Sequence, residues 1–167
     1  SVTSIGKHAF NRCSSLTSIV IPDGVTSIKL STFYGCSNLA SVVIPDSVTS
    51  IETYAFYNNN ALKSITIPSS VTHIENSAFY NCLSLNTIHI PNSVKYIADN
   101  AFAYCKSLES ISIPSSVNNI GFDVLKACPS LLKISVNSDN AIYDSRNDCN
   151  AIIQTNTNTL LAGCKKT

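Results

Sequence analysis

The dipeptide Ile-Pro returns every 23 residues along most of this chain. A fixed period between about 20 and 50 residues is typical of repeat proteins, in which each unit packs only on its neighbours. We call each unit a rung, and each set of residues 23 apart a column. The repeat continues without an insertion from residue 1 to about Val136. The five dipeptides are Ile21-Pro22, Ile44-Pro45, Ile67-Pro68, Ile90-Pro91 and Ile113-Pro114.

Four further columns hold a single apolar residue type on nearly every rung. An unchanging column in a stacked array predicts a side chain that faces the common core. The phenylalanine column, with the largest side chain, is the expected core filler. The columns contain Phe10, Phe33, Phe56, Phe79 and Phe102; Leu16, Leu39, Leu62, Leu85, Leu108 and Leu131; Val2, Val25, Val48, Val71, Val94 and Val117; and Ile5, Ile28, Ile51, Ile74, Ile97 and Ile120.

The order of residues within a rung predicts its local structure. Ile-x-Ile alternates with period two, as expected of a short strand with two inward side chains. Proline ends this strand because it has no N–H for the ladder. Val-x-x-Ile can direct both residues inward only on a curved backbone or a second, bent strand. Ala-Phe-x-x-Cys suits a single helical or 3₁₀ turn. The expected fold is a β-rich solenoid over residues 1–136, with a parallel sheet, five full rungs and a partial first rung.

Cysteine and histidine raise the question of catalysis or metal binding, since Cys82 lies seven residues before His89. A catalytic thiol is not needed once per rung, and a structural zinc site needs about four ligands that converge on one point. His89 belongs to a column that otherwise varies. We therefore predict small buried thiols, no metal, no cofactor and no enzyme activity. The cysteine column contains Cys13, Cys36, Cys82, Cys105 and Cys128, with Asn59 on the third rung.

Composition excludes several function classes. The chain has 167 residues, 44% hydrophobic and 13% charged, with a net charge of +1. Its cationic residues are scattered over many columns, whereas nucleic-acid binding requires a basic stripe. No apolar run approaches the ~20 residues of a membrane span, so we expect neither nucleic-acid binding nor membrane insertion. The chain begins in the middle of a repeat, which predicts a piece of a longer protein, and the absence of Asn-x-Ser/Thr acceptors favours a bacterial source.

The repeat ends after Ser135, and residues 137–167 are expected to form a non-repeat capping module. Two apolar segments, 151–153 and 160–162, flank the polar run QTNTNT and predict a β-hairpin. A hairpin centred between residues 156 and 157 places Cys149 opposite Cys164, close enough for a candidate disulfide, with two reduced thiols as the alternative. A calcium site that uses Asp144 and Asp148 is a further alternative to ordinary turn chemistry.

The rung pattern resembles the leucine-rich repeat. Segments such as IPDSVTSI and AFYNC resemble the BspA-like subclass, found in surface proteins of bacteria and some parasitic protists. The tail also resembles the hairpin module of gut-bacterial members. The resemblance implies cell-surface adhesion and protein recognition, with no catalytic residues.

By the same resemblance, the first strand of each rung exposes its outward residues on a concave face. These residues are small, mostly hydroxylated and nearly uncharged, which favours an extended partner over a small ligand in a deep pocket. We predict an extracellular module that binds matrix, plasma or other surface proteins. A structural spacer or self-associating element without its own ligand is the alternative. The predicted contact residues are Ser41, Val43, Ser64, Thr66, Thr87, His89, Ser110 and Ser112.

Overall fold

The computed structural model describes residues 2–164 and, within them, leaves the side chain of Asp148 undescribed. Residue 1 of the predicted solenoid and residues 165–167 of the predicted tail therefore lie outside the described chain. The predicted fold class is confirmed: the rungs stack with parallel strand pairing at a 23-residue step. Each rung has three sides, formed by a first strand, a second strand and a segment of turns.

The first side carries the Ile-x-Ile strands. They are hydrogen-bonded in parallel pairs, β1 with β3, β5 with β7 and β9 with β11, and neighbouring pairs lie side by side. Their central residues point inward and their outer residues point to solvent, as the alternation predicts. The six strands are β1 (Ser18–Val20), β3 (Ser41–Val43), β5 (Ser64–Thr66), β7 (Thr87–His89), β9 (Ser110–Ile113) and β11 (Lys133–Val136).

The second side is a continuous five-stranded parallel sheet, ordered β10-β8-β6-β4-β2. Each strand holds the isoleucine of Val-x-x-Ile, and the valine lies just before it in a turn, so both are buried. Of the two alternatives that the spacing of three left open, a curved backbone or a second strand, the structure shows a short second strand. The strands are β2 (Ser27–Ile28), β4 (Ser50–Ile51), β6 (His73–Ile74), β8 (Tyr96–Ile97) and β10 (Asn119–Ile120).

The third side consists of consecutive β-turns, where the sequence predicted a single helical or 3₁₀ turn. Asn11 N donates to His8 O at 3.0 Å, and Cys13 N donates to Phe10 O at 3.1 Å. Two residues per rung have positive φ, such as His8 (60°) and Arg12 (58°). These left-handed residues prevent helix propagation. They also leave every second N–H group free of the turns, and these groups donate to carbonyls of the next rung, as Phe10 N does to Thr32 O at 2.9 Å.

The core lies between the three sides and contains the predicted apolar columns, except for Val2, which is 55% exposed on the first rung because no earlier rung covers it here. The phenylalanine rings stack along the solenoid with centroids 5.3 Å apart between Phe10, Phe33, Phe56 and Phe79, and 5.5 Å apart between Phe79 and Phe102. Stacked rings at this spacing gain attraction beyond the area that they bury. The aromatic column therefore stabilises each contact between rungs.

The cysteine column holds the turns of neighbouring rungs together. Cys82 Sγ donates to Phe56 O at 3.2 Å, and Asn59 Nδ2 reaches the equivalent acceptor, Phe33 O, at 2.8 Å. Burial raises the pKa of the Cys82 thiol to about 12. The predicted burial is correct for Cys36, Cys82 and Cys105, but Cys128 is half-buried and Cys13 is exposed. These two lie on the terminal rungs of this chain, where a neighbour covers only one side.

The tail forms a separate three-stranded antiparallel sheet, ordered β12-β13-β14. The predicted hairpin is confirmed, and Ile153 pairs with Leu160 as expected. A bulge between Ile152 and Ile153 then shifts the register, so that Ala151 pairs with Gly163. The elements are β12 (Tyr143–Asp144), a 3₁₀ turn at Arg146–Asp148, β13 (Ala151–Gln154) and β14 (Thr159–Gly163).

One buried asparagine fixes the start of the tail to the last rung. Asn140 Nδ2 donates to Pro114 O and Val117 O, both at 2.9 Å. Its Oδ1 accepts from the N–H groups of Ile142 and Tyr143, also at 2.9 Å. The side chain thus uses all the hydrogen bonds that an amide needs in a buried position. It sets where β12 begins.

Candidate functional site

The eight predicted contact residues lie on four neighbouring strands, β3, β5, β7 and β9, and all are exposed. We call this surface the strand face. In the pair β5–β7, Ser64 lies beside Thr87 and Thr66 lies beside His89. The residues between them in each strand, such as Ile65 and Ile88, are buried and hold the strands in register. The structure therefore brings the predicted residues together on one surface.

Most polar groups of the strand face are available to a partner. Within residues 2–164, the only side-chain hydrogen bond from the eight residues runs from Thr87 Oγ1 to Asn86 Oδ1, at 3.4 Å. None of the eight has a carboxylate, an ammonium or a guanidinium group. A partner would thus meet hydroxyl and imidazole groups without having to displace salt bridges.

The two ends of the strand face differ. At the N-terminal end, Val20 and Val43 are paired across β1 and β3 and are 71% and 53% exposed. At the other end, a shallow cavity of about 240 Å³ opens between β7, β9 and β11. Ser110, Ser112 and Lys133 are among its lining residues. One end of the face is thus apolar and exposed. The other end holds a shallow cavity lined by hydroxyl-bearing residues and by the cationic residue Lys133.

The candidate disulfide between the tail residues Cys149 and Cys164 stays a prediction, although the hairpin does not place the two residues in the register that the prediction assumed. A bulge shifts the pairing by one residue on the Ile152 side of Ile153, toward Cys149. The register that placed Cys149 opposite Cys164 assumed an uninterrupted ladder. A single extra residue in one strand removes that alignment.

The calcium alternative depended on Asp144 and Asp148, and the side chain of Asp148 lies outside the described residues. Both carboxylate oxygens of Asp144 accept from Arg146, from Nε at 2.9 Å and from Nη2 at 2.7 Å. This hydrogen bonding lowers the pKa of the Asp144 carboxyl. Asp144 is therefore engaged in a two-point pair with a cation, which orders the turn.

A tyrosine cluster on the third side was missed at the sequence level. Tyr34, Tyr57 and Tyr80 stack with ring centroids 4.8 and 4.7 Å apart and planes parallel to within 1°. Tyr54 meets the edge of Tyr57, and Tyr104 packs on Tyr80 at a tilt. The signal was present, because the three stacked tyrosines are 23 residues apart. Their faces are covered by one another, so the cluster presents ring edges and hydroxyls to solvent.

The described part of the chain offers no group of three or more His, Cys, Asp or Glu side chains arranged to hold a metal ion. It also has no helix with the length and apolar content of a membrane span. The main candidate surface is therefore the strand face.

The family model for the BspA type leucine-rich repeat region matches residues 1–42 and 26–152, with six copies. The chain belongs to this family. No curated protein matches the chain significantly.

Solved structures with the same fold come from several bacteria. A leucine-rich repeat protein of T. pallidum is 33% identical, with a TM-score of 0.77 over 80% of this chain and 62% of its own. A leucine-rich cell surface protein of Faecalibacterium prausnitzii is 35% identical, with a TM-score of 0.83 over 92% and 40%. The pneumococcal vaccine antigen PcpA, 24% identical with a TM-score of 0.84 over 99% and 43%, shares the fold. The chain thus spans less than two thirds of each of these proteins.

Proposed function

We propose that this chain is a non-catalytic protein-binding module of a bacterial cell-surface adhesin, with the strand face as its contact surface. The observation that carries the proposal is the row of exposed, uncharged hydroxyl and imidazole groups on β3, β5, β7 and β9, nearly all without a partner inside the described chain. Buried isoleucines hold these groups on a rigid array. A preorganised surface loses little conformational entropy when it binds.

The proposed partner is an extracellular protein, such as a matrix protein, a plasma protein or another surface protein. An extended surface that spans several strands suits a macromolecule, because small-molecule sites are deep pockets that enclose most of their ligand. The exposed pair Val20 and Val43 provides an apolar contact beside the polar rows. The cell-surface description of the Faecalibacterium relative supports an extracellular location.

The test is a triple substitution on the middle rungs, Thr66→Glu, His89→Glu and Ser112→Glu. Three carboxylates on neighbouring strands would repel each other and desolvate poorly under a partner, and hot spots cluster near the centre of an interface. Binding to immobilised matrix and plasma proteins is measured by surface plasmon resonance. We expect the triple variant to lose the binding of the wild-type chain while its Tm changes modestly.

The matched control places glutamates three residues later on the same rungs: Ser69→Glu, Asn92→Glu and Ser115→Glu. These residues are exposed, and their column already contains Asp23 and Asp46. The control should retain binding. Equal binding by wild type and the strand-face variant would move the contact surface elsewhere, and a wild-type chain that binds none of the proteins would favour the structural spacer.

A further inference from the structure

The second sheet ends at β10, where two backbone carbonyls have no hydrogen-bond donor among the described residues. On each of the four preceding rungs, from Thr26 to Ile97, two backbone carbonyls of this side accept N–H groups from the next rung. Lys95 O accepts from Asn118 N at 2.9 Å, and Ile97 O accepts from Gly121 N at 2.8 Å. The equivalent carbonyls of the last rung, Asn118 O and Ile120 O, accept no hydrogen bond from residues 2–164. β10 thus has no partner strand on its outer edge within the described chain.

The N–H group between these carbonyls is satisfied by a side chain. Ile120 N donates to the hydroxyl oxygen of Tyr143 at 2.9 Å, in place of the backbone carbonyl that a further rung would supply. Tyr143 is 4% exposed and fills the inward site that an isoleucine occupies on earlier rungs. The tail therefore closes the core at this point but does not pair with the edge of β10.

A groove lies along this open edge. It has a volume of about 450 Å³ and is lined by Asn118, Asn119, Phe122, Tyr143, Gln154 and Asn156, among others. We call it the edge groove. No lining residue carries a charge. Phe122 is 82% exposed, the largest exposed fraction among the large apolar residues of the described chain. The groove thus combines side-chain amide groups, two backbone carbonyls without a hydrogen-bond donor and one exposed aromatic ring.

We propose that the edge groove binds an extended, uncharged peptide segment of a partner protein, which adds to β10 as a further parallel strand. The peptide would continue the sheet, since the same parallel pairing joins the five strands from β2 to β10. Four consecutive peptide residues complete the pattern. The first N–H donates to Asn118 O and the fourth donates to Ile120 O, as Asn118 N and Gly121 N do to the preceding rung. This is β-strand addition at a sheet edge, a general mode of peptide recognition. It is separate from the strand face and goes beyond the function proposed above.

The groove also specifies the side chains of the peptide. The third residue faces Tyr143, which already fills the core, so its side chain must be small. The segment after the fourth residue passes Phe122, which favours an apolar residue there. Uncharged residues are required elsewhere because the lining offers no countercharge. The groove should therefore select peptides by these side chains, whereas an unspecific apolar surface would not.

The probe is the hexapeptide acetyl-Val-Thr-Ser-Ala-Thr-Val-amide. It copies the rung sequence of residues 48–51 with alanine in place of the inward isoleucine. The control is the same peptide N-methylated at the first and at the second threonine, the two positions that would donate to Asn118 O and Ile120 O. Each is titrated into the ¹⁵N-labelled full chain, and amide shifts are followed by NMR.

We expect shifts confined to residues 118–122, 141–143 and 154–156 with the unmodified peptide. N-methylation should weaken binding at least about tenfold, since it removes two hydrogen bonds. Tyr143→Phe should tighten binding about two- to tenfold, because it frees Ile120 N–H for the peptide carbonyl. Phe122→Ser should weaken binding, whereas Leu160→Ser, which removes an exposed apolar side chain outside the groove, should leave it unchanged.

Three results would overturn the proposal. Equal binding of both peptides would show apolar capture rather than strand pairing. Absence of shifts at these amides with the unmodified peptide would show that the edge does not accept a strand. Shifts produced by the neutral sugar maltotriose and not by the peptide would assign the groove to a saccharide.

Discussion

The interior rungs and the C-terminal tail bury the same core by different means. Between interior rungs, identical contacts recur: a phenylalanine stack, a thiol donating to a phenylalanine carbonyl, and parallel backbone ladders. Where the tail meets the last rung, these contacts do not recur: Asn140 bridges four backbone groups, the Tyr143 hydroxyl accepts from one N–H, and Ile152 joins the apolar core. The interior is thus redundant, whereas the cap depends on single residues.

The two regions therefore differ in the substitutions that they tolerate. In a repeat array, the free energy of unfolding is approximately a sum over rungs and their interfaces. A substitution on one rung therefore leaves the identical contacts of the neighbouring rungs in place. In the cap, one lost side chain leaves several buried backbone groups without a partner. Substitutions in the interior rungs and in the tail should separate the two regions.

Phe79→Ala should lower the free energy of unfolding by roughly 3 to 5 kcal/mol, the range for emptying a large buried aromatic site. Phe79 is fully buried and stacked on both faces. Urea denaturation followed by circular dichroism measures the change. Phe122→Ala is the matched control on an exposed ring and should change stability little.

Asn140→Ala should cost about 2 to 4 kcal/mol, since it leaves four buried backbone groups with one partner fewer. The loss should concentrate in the tail, so hydrogen exchange of residues 142–154 should accelerate more than that of β6. Asn156→Ala, an exposed amide, serves as the control. Uniform acceleration across all rungs would mean that the cap and the array unfold as one unit.

Raising the pH should destabilise the interior through its thiols. The pKa of Cys82 rises from 9.0 to about 12 on folding, because burial disfavours the thiolate. The stabilising contribution is therefore complete below pH 9 and is lost as the pH rises toward the folded value. At about pH 10.5 this thiol alone should account for about 2 kcal/mol of lost stability.

The measurement compares urea denaturation of wild type and Cys82→Ala at pH 8 and pH 10.5. The variant should lose about 2 kcal/mol less than wild type. Identical losses would show that the Cys82 thiol ionises as easily in the folded chain as in the unfolded one.

Asn59→Cys should stabilise the chain by about 1 kcal/mol. Asn59 Oδ1 is buried and has no hydrogen-bond partner in the described chain, which costs free energy, whereas a thiol keeps a donor for Phe33 O. Thermal unfolding at neutral pH under reducing conditions checks the gain. A lower Tm would indicate that a bound water satisfies Oδ1.

His89→Ala should change stability by less than about 0.5 kcal/mol, as usual for an exposed residue without a specific contact. Chemical denaturation of His89→Ala and Phe79→Ala under the same conditions compares an exposed and a buried residue of one rung. A larger effect from His89 than from Phe79 would contradict the placement of the strand face.

Sequence periodicity predicts the solenoid well, because an inward column must repeat its residue type. Ile65 and Ile74 could be assigned to two strands from spacing alone. The left-handed turns were not predictable, since residues as different as His8, Tyr54 and Asp123 adopt the same backbone. Only the ladder between rungs imposes that conformation.

The candidate site divides in the same way. The exposure of Thr66 and His89 follows from alternation along a strand. The edge groove does not, because it depends on where a non-repeat side chain, Tyr143, meets a backbone N–H of the last rung. The hairpin bulge likewise has no signature in residues 151–163. Partner binding by the strand face stays a prediction.

The stacking of rungs also determines how the chain responds to tension. The hydrogen bonds between rungs run along the solenoid axis, so a force that separates the two ends acts on all rung interfaces in series. The weakest interface breaks first, and the others follow one at a time. Each rung that detaches would release 23 residues, or about 80 Å of extended chain. A tethered molecule of this design lengthens in steps and dissipates load, while its remaining rungs keep their surfaces.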